Sequence, residues 1–262
     1  MNIQLTAKNA LVGASTQGIG YAIAVELANC GANVTLLARN ELKLKETVSS
    51  LPLVNTNQKH HYIVADFANF ENYQAVISDF FRDNTIDILV NNTNGPTAGM
   101  ALGMEIHSYQ QAFDLVFKTV CQNTTLALPN MIQQKSGRII NVSSISVKEP
   151  VSNLVLSNSM RMATMAWAKS LSAEVAQYNI TVNNILTGYF DTERISTLID
   201  KEAGITGKTA LDIRKGKEAE VPMKRLGKPE EYGYLAAFLA SDYAAYLTGT
   251  NIPLDGGLTK SY

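Results

Sequence analysis

The chain has 262 residues, of which 46% are hydrophobic and 17% charged, and its formal net charge is −1. This length suits one large α/β domain rather than two, and the composition excludes an intrinsically disordered chain. The balanced charge offers no basic field for nucleic acid, so no nucleic-acid partner is expected.

The sequence also gives expectations about location and metals. Residues 1–9 lack an apolar core of signal-peptide length, and no apolar run approaches the ~20 residues that span a bilayer. We therefore expect a cytoplasmic protein with no membrane partner. Cys30 and Cys121 form no CxxC pair, and the adjacent His60 and His61 would point to opposite faces of an extended segment. No metal site is predicted.

Strands and helices alternate along the chain. The predicted strands cover residues 10–12, 34–37, 62–64, 86–90, 138–142, 180–185 and 250–254. The predicted helices cover residues 21–29, 41–50, 71–82, 105–134, 154–178 and 229–241, and Pro129 is expected to kink or divide the fourth. Because the strands are apolar throughout, the pattern predicts a Rossmann-type, doubly wound, parallel seven-stranded sheet with helices on both faces, in one domain over residues 1–262.

The alternation stops between residues 191 and 224. This segment is charged, contains Gly204, Gly207 and Gly216, and could form short helices. Long irregular segments inside compact domains are usually functional, so we predict a substrate lid here.

A glycine-rich segment, residues 13–20 (GASTQGIG), lies between the first strand and the first helix. Glycines in this place allow a sharp turn and close approach to a diphosphate, which the N-terminus of the helix attracts. A glycine-rich turn without that context would indicate only a tight turn. The segment therefore predicts a nucleotide site.

Arg39 follows the second strand, about 20 residues after the glycines. An acidic residue at this place would hold the ribose hydroxyls of NAD, whereas an arginine pairs with the 2′-phosphate of NADP. We predict NADP as the cofactor, with NAD as the less favoured choice. The alternative for Arg39 is a solvated surface side chain.

Seven ordered motifs resemble the short-chain dehydrogenase/reductase family, and in particular its β-ketoacyl-carrier-protein-reductase-like members with imperfect cofactor and catalytic motifs. The motifs are residues 13–20, 65–67 (ADF), 89–96 (LVNNTNGP), 137–144 (GRIINVSS), 187–192 (TGYFDT), 225–231 (RLGKPEE) and 247–257 (LTGTNIPLDGG). The resemblance implies a nicotinamide-dependent reductase or dehydrogenase. The cofactor-binding residues that it implies are Gly13, Ser15, Thr16, Gln17, Gly18, Ile19, Arg39, Asp66, Phe67, Asn92, Thr93, Arg161 and Thr192.

The resemblance breaks at the catalytic residues. The family uses a serine, a Tyr-x-x-x-Lys pair and an asparagine, and Ser144 occupies the serine position. Ser157 and Arg161 stand where the tyrosine and lysine would be, on one face of a helix, and the asparagine position falls near Val116. A serine hydroxyl is a much poorer acid than a phenol, and an arginine does not release its proton. We predict Ser144, Ser157 and Arg161 as catalytic residues, with Ser144 alternatively bonding only its own backbone.

Two other side chains could supply the proton, Tyr189 and His107. For each we favour the plain alternative, a pocket wall for Tyr189 and a surface residue for His107. The leading prediction is an NADP(H)-dependent oxidoreductase acting on a carbonyl or hydroxyl group of a small molecule, such as a 3-oxoacyl-like compound. The alternatives are a catalytically impaired nucleotide-binding homologue with a sensing or assembly role, and a non-redox reaction on the same scaffold. The resemblance further implies a homodimer or homotetramer that pairs through the two long helices.

Overall fold

A computed structural model of the chain describes residues 2–261, which form one sheet of seven parallel strands. The strands are β1 (Asn9–Gly13), β2 (Asn33–Ala38), β3 (His61–Val64), β4 (Ile88–Asn91), β5 (Gly137–Ser144), β6 (Ile180–Thr187) and β7 (Asn251–Leu254). Their order is β3-β2-β1-β4-β5-β6-β7, so the chain reverses its direction of winding between β1 and β4. The predicted fold class is confirmed, and the reversal point is where such sheets bind ligands.

Helices connect the strands and cover both faces of the sheet. In residues 2–261 the α-helices are α1 (Gly18–Asn29), α2 (Glu41–Ser50), α3 (Phe70–Asp83), α4 (Ile106–Ala112), α5 (Thr119–Gln134), α6 (Val155–Val175), α7 (Glu193–Thr206), α8 (Ala210–Glu220) and α9 (Pro229–Ala240). The helices α1 and α9 share one hydrophobic cluster with the sheet, and α3, α5 and α6 share another. Neighbouring residues of β1 alternate between the two clusters, Val12 in the first and Leu11 in the second, because successive side chains of a strand face opposite sides.

A row of asparagines crosses the buried part of the sheet. Asn91, Asn141, Asn184 and Asn251 lie in register on β4, β5, β6 and β7. Each amide Nδ2 along the row donates to Oδ1 of the next asparagine, at 2.8–2.9 Å. Because a buried polar group is costly unless it is hydrogen-bonded, the row stabilises one register of the four strands.

The long helical region after β4 is divided, but at a different place from the one predicted. A π-helical segment, Phe113–Lys118, separates α4 from α5, and the N–H of Thr119 reaches back five residues to the carbonyl of Asp114. Pro129 lies inside α5, which continues through it to Gln134. The prediction of a division at Pro129 was therefore wrong: the wider π turn interrupts the helix instead.

Residues 191–224 are mainly helical, with α7 and α8 packed on each other. Ile195 and Ile199 of α7 join Ile213 of α8 in a small hydrophobic cluster. Arg214 of α8 forms a two-pronged ion pair with Asp191, at 2.6 and 3.0 Å. These contacts hold the helical pair together beside the end of β6, while its action as a lid remains a prediction.

Within residues 2–261, no helix has both the length and the apolar character needed to cross a membrane. The same part of the chain holds no group of three or more metal-ligating side chains. Cys30 and Cys121 are free thiols, and burial raises the pKa of each to about 11. Both therefore stay protonated, and poorly reactive, at neutral pH.

Candidate active site and nucleotide cleft

The turn between β1 and α1 packs tightly against the end of β4. Ala14 and Gly18 have positive φ angles of 46° and 57°, a backbone region that favours glycine. A Cβ on Gly13 would collide with the backbone oxygen of Asn92, and one on Gly20 with that of Ala14. The glycines thus bring together two segments that the sequence assigned to cofactor binding.

The start of α1 carries no side-chain cap. Gln17 occupies the N-cap position without hydrogen-bonding the helix, and the first turn contains no acidic residue. The first N–H groups and the positive end of the helix dipole are therefore open to an anion. An uncapped helix after a glycine turn fits the diphosphate of a dinucleotide.

The other predicted residues of this turn differ in their accessibility. Ser15 is fully buried, and its hydroxyl accepts a hydrogen bond from the N–H of Leu37 on β2 at 3.1 Å. Thr16 and Ile19 are half-buried, and Gln17 is exposed. Ser15 therefore stabilises the turn from the protein interior by its hydrogen bond to β2. The side chains of Thr16, Gln17 and Ile19 are accessible to solvent.

Arg39 follows β2 directly and is exposed. The closest acidic residue along the chain, Glu41, is paired with Lys45 at 2.8 Å. The guanidinium of Arg39 is consequently available to a ligand. Nothing in its surroundings conflicts with the predicted contact to a 2′-phosphate.

Asp66 and Phe67 lie just after β3. Asp66 is half-buried, and its Oδ1 accepts a hydrogen bond from the N–H of Ala68 at 3.0 Å. Phe67 packs in the core with its ring centroid 5.1 Å from that of Tyr73. Of the two, only Asp66 has a side chain that a nucleotide could reach; a contact from Phe67 is limited to its backbone.

Asn92 and Thr93 follow β4 at the reversal point of the sheet. Nδ2 of Asn92 donates to the carbonyl oxygen of Gly13 at 3.0 Å, and the hydroxyl of Thr93 donates to the carbonyl of Asn94 at 3.3 Å. Asn92 therefore fastens the glycine turn to β4. Both residues are half-buried at the edge where the strands end.

Ser144 is the last residue of β5. Its hydroxyl oxygen accepts a hydrogen bond from the N–H of Ser146 at 3.1 Å, which is the local bonding given above as the alternative. The hydroxyl proton of Ser144 is not used in that bond, so the group can still donate to a ligand.

Ser157 and Arg161 contact each other on α6. Nε of Arg161 donates to Oγ of Ser157 at 3.3 Å, and Nη1 donates to the carbonyl oxygen of Val142 at 2.7 Å. Burial lowers the pKa of the Arg161 guanidinium, and the nearby Arg194 lowers it further; an arginine nevertheless stays charged at neutral pH. The contact with Val142 places this charge two residues before Ser144, or about 7 Å along the strand.

The predicted asparagine position lies in the π-helical segment. Val116 is buried there, and it lines a small cavity together with Asn91, Ser143 and Arg161. Val116 cannot hydrogen-bond a water or a substrate, and the polar atoms of this cavity belong to its neighbours. The hydroxyl of Ser143 is buried without a hydrogen-bond partner in the described chain.

The two substitute proton donors are not placed for that role. The hydroxyl of Tyr189 donates to Glu220 on α8 at 3.4 Å. Burial, and then the charge of Glu220, raise the pKa of Tyr189, which makes it a weaker acid. His107 is exposed in the first turn of α4. Tyr189 packs against the hydrophobic cluster of the helical pair, and His107 has a surface position.

Thr192 caps the N-terminus of α7 by accepting a hydrogen bond from the N–H of Ile195 at 3.4 Å. Its Cγ2 would lie 3.4 Å from a Cβ placed on Gly18. The start of α7 is thus in contact with the start of α1. Sequence reasoning missed Arg194, two residues further on, whose Nη2 would lie 3.5 Å from a Cβ on Gly95; its place next to the 187–192 motif is the signal that could have revealed it.

Comparisons with known proteins agree over the whole chain. A family model described as enoyl-(acyl carrier protein) reductase matches residues 13–259. Oxidoreductase UcpA of Escherichia coli (strain K12) is 34% identical over 263 residues, which cover 98% of this chain and 96% of that protein. NADPH-dependent reductase BacG of Bacillus subtilis (strain 168) is 30% identical over 262 residues, covering 98% of this chain and 100% of BacG.

Solved structures give the same result. The crystal structure of L-sorbose reductase from Gluconobacter frateurii, complexed with NADPH and L-sorbose, is similar to this chain with a TM-score of 0.92 and 28% sequence identity. The match covers 100% of both chains. The similarity therefore includes the cleft side of the sheet and the helical pair that follows β6.

Proposed function

Because the chain belongs to the short-chain dehydrogenase/reductase family, we propose that it is an NADP(H)-dependent oxidoreductase acting on a carbonyl or hydroxyl group of a small molecule. The observation that carries the proposal is the junction of the glycine turn, the uncapped start of α1 and the end of β4, which Asn92 fastens together. Such a junction at the reversal point of a parallel sheet binds dinucleotides.

The choice of NADP rests on Arg39. Its side chain is exposed and forms no ion pair within residues 2–261, and Glu41 is already engaged by Lys45. A 2′-phosphate would provide that partner. The choice agrees with the NADPH named for BacG and for the L-sorbose reductase complex.

Ser144 and Arg161 are proposed to act on the substrate oxygen. NADPH, when bound, would supply a hydride for the carbonyl carbon of the substrate, and the carbonyl oxygen would take up a proton. The Ser144 hydroxyl donates to that oxygen, and the charge of Arg161 stabilises the negative charge that develops on it. The N–H groups of Arg161 that bond neither Ser157 nor Val142 are also suited to the cofactor ribose.

Ser157 is proposed as the group through which the proton arrives. Its oxygen accepts from Nε of Arg161, so its own proton is directed elsewhere and can be donated. A serine hydroxyl is too weak an acid to remain deprotonated at neutral pH, so a proton that it donates must be replaced at the same time by one from solvent. This route replaces the phenol that the family uses at the same place.

A second candidate is a nucleotide-binding protein without reductase chemistry. Its support is the joint replacement of the tyrosine, the lysine and the asparagine by Ser157, Arg161 and Val116. The two candidates share the cofactor and differ in turnover. Oxidation of NADPH in the presence of a panel of carbonyl compounds separates them, and product formation without NADPH oxidation would indicate a non-redox reaction.

Three further features belong to the proposal. We propose that residues 191–224 act as a lid over the substrate, that the chain assembles as a homodimer or homotetramer, and that it works in the cytoplasm. The assembly would use α4 to α6, whose outer faces leave Ile106, Phe113 and Met162 exposed. Sedimentation of the purified protein measures the assembly directly.

The first experiment is a calorimetric titration of the purified protein with NADPH and with NADH, repeated on Arg39→Ala. A charge-assisted hydrogen bond contributes about 1.5–3 kcal/mol, so the variant is expected to bind NADPH about 10- to 100-fold more weakly and NADH unchanged. Arg82→Ala is the matched control, because Arg82 is an exposed arginine that is paired with Asp79, one turn earlier in α3. Absence of binding to both nucleotides would overturn the proposed function.

A further inference from the structure

Arg194 reaches across the cleft beside the nucleotide site. It lies in the first turn of α7, whose N-cap Thr192 contacts the start of α1. Its Nη2 approaches Gly95, in the loop that follows Asn92 and Thr93. Arg194 therefore bridges the helical pair and the loop after β4.

Arg194 is exposed and forms no ion pair within residues 2–261, and the nearby carboxylate of Asp191 is bound by Arg214. It also lies at the positive end of the α7 dipole, where a cation is disfavoured and an anion is favoured. The same turn also carries the acidic Glu193, and the side chain of Thr192 caps it. An anion bound at this point would therefore be attracted mainly by the guanidinium of Arg194.

Arg161 is a second positive charge near Arg194. It forms no ion pair with any described residue, and its hydrogen bonds to Ser157 and Val142 use only part of its five donors. Arg194 is close enough to lower the pKa of Arg161. Two neighbouring cations repel each other, and an anion bound near both would lower that repulsion.

We propose that the substrate is an anionic carbonyl compound whose carboxylate is bound by Arg194, with Arg161 completing the positive site. This inference rests on the proposed function and deepens it by naming the class of substrate. Ser144 would meet the carbonyl oxygen, and Arg194 would hold the carboxylate on the lid side. Guanidinium groups suit a carboxylate because they offer two parallel donors.

The competing source of negative charge is the cofactor diphosphate, since the start of α1 is close to Thr192. The two sources make different demands on Arg194. If it binds the substrate, its loss weakens substrate binding and leaves the affinity for NADPH unchanged. If it binds the diphosphate, its loss weakens NADPH equally for every substrate.

The test uses pyruvate and levulinate, each compared with its methyl ester, at constant ionic strength. The melting temperature of the NADP⁺-loaded protein is measured first, because it reports binding without turnover. The acids are expected to raise the melting temperature and the esters are not, and this difference is expected to vanish in Arg194→Gln. In Arg194→Lys part of it should return, and Arg82→Gln, which keeps both cleft arginines, should behave like the wild type.

Turnover and cofactor binding complete the test. Where an acid is reduced, kcat/KM is expected to fall about 10- to 100-fold in Arg194→Gln through KM, while the Kd for NADPH stays constant. Equal effects of acid and ester on the wild type would overturn the inference. So would a loss of NADPH affinity in Arg194→Gln with the preference for acids retained. If the wild type binds no NADPH, the proposed function itself fails, which the calorimetric titration detects separately.

Discussion

Nε of Arg161 donates a hydrogen bond to Oγ of Ser157, one helical turn earlier on α6, at 3.3 Å. These are the two positions at which the family carries its tyrosine and lysine. The replacement residues therefore form a contacting pair, and Arg161 is anchored a second time on the carbonyl of Val142. Because these two hydrogen bonds fix the guanidinium, its remaining N–H donors point in a defined direction. An arginine without the contact to Ser157 would be held at one point only.

Ser157→Ala is expected to lower kcat about 2- to 10-fold, because it removes one hydrogen bond of about 0.5–1.5 kcal/mol that orients Arg161, together with the proposed proton route. The Kd for NADPH should stay within about 2-fold of the wild type. Steady-state kinetics and calorimetry measure the two quantities. Ser159→Ala, an exposed position on the same helix, is the control. An unchanged kcat would show that Ser157 takes no part in the reaction.

Gly20→Ala is expected to destabilise the protein and abolish nucleotide binding. Its Cβ would collide with the carbonyl of Ala14 and lie 2.8 Å from Nδ2 of Asn92, so the glycine turn and β4 would separate. Gly204→Ala is the matched control, since a Cβ there meets nothing within 4 Å inside α7. Alanine at that place should instead stabilise the helix by about 0.5–1 kcal/mol. Thermal melts with and without NADPH would show whether the two glycines differ in this way.

The sequence predicts the fold well because its strands are continuous and apolar. All seven predicted strands exist, and the ends of β5 and β6 lie two residues further on than predicted. The place at which α4 and α5 divide was missed because the π turn at Phe113–Lys118 has no sequence signal as visible as a proline. The sequence only suggested the helical pair after β6, because glycines usually mark the ends of helices. Gly204 and Gly216 instead lie inside α7 and α8, where an added Cβ would meet nothing within 4 Å.

The sequence predicts which residues form the candidate site, but it does not predict which of them contact each other. Motif order identifies Ser144, Ser157 and Arg161, but only the structure shows that the last two touch. Arg194 carries no motif of its own, and its relevance arises from the approach of α7 to the loop at Gly95. Contacts of this kind depend on how distant segments pack, which local patterns do not record.

The asparagine row gives a prediction about stability. Asn141→Ala leaves Oδ1 of Asn184 without its donor and Nδ2 of Asn91 with one acceptor fewer, all of them buried. We expect a loss of about 2–4 kcal/mol in the free energy of unfolding, from unsatisfied polar groups and a small cavity. Asn251→Ala, at the exposed end of the row, should cost less than about 1 kcal/mol because water can replace the lost partner. Urea unfolding at constant m-value compares them, and equal costs would contradict a cooperative row.

The start of α9 should make stability depend on pH in the acid range. The carboxylate of Glu231 accepts hydrogen bonds from Arg225 at 2.7 and 2.8 Å and from the N–H of Lys228 at 2.7 Å. The bonds from Arg225, and to a smaller extent the bond from Lys228, lower the pKa of Glu231 from 4.5 to about 2. Because the pKa is depressed in the folded state, the stabilisation is complete above pH 4.5 and disappears as the pH falls through about 2. Glu231→Gln should therefore be less stable than the wild type near neutrality and equal to it near the lower limit. Solvent screens this half-exposed pair, so the difference will be modest. The exposed neighbour Glu230, changed to Gln, should leave the pH profile of unfolding unaltered; a Glu231→Gln profile parallel to that of the wild type would refute the assignment.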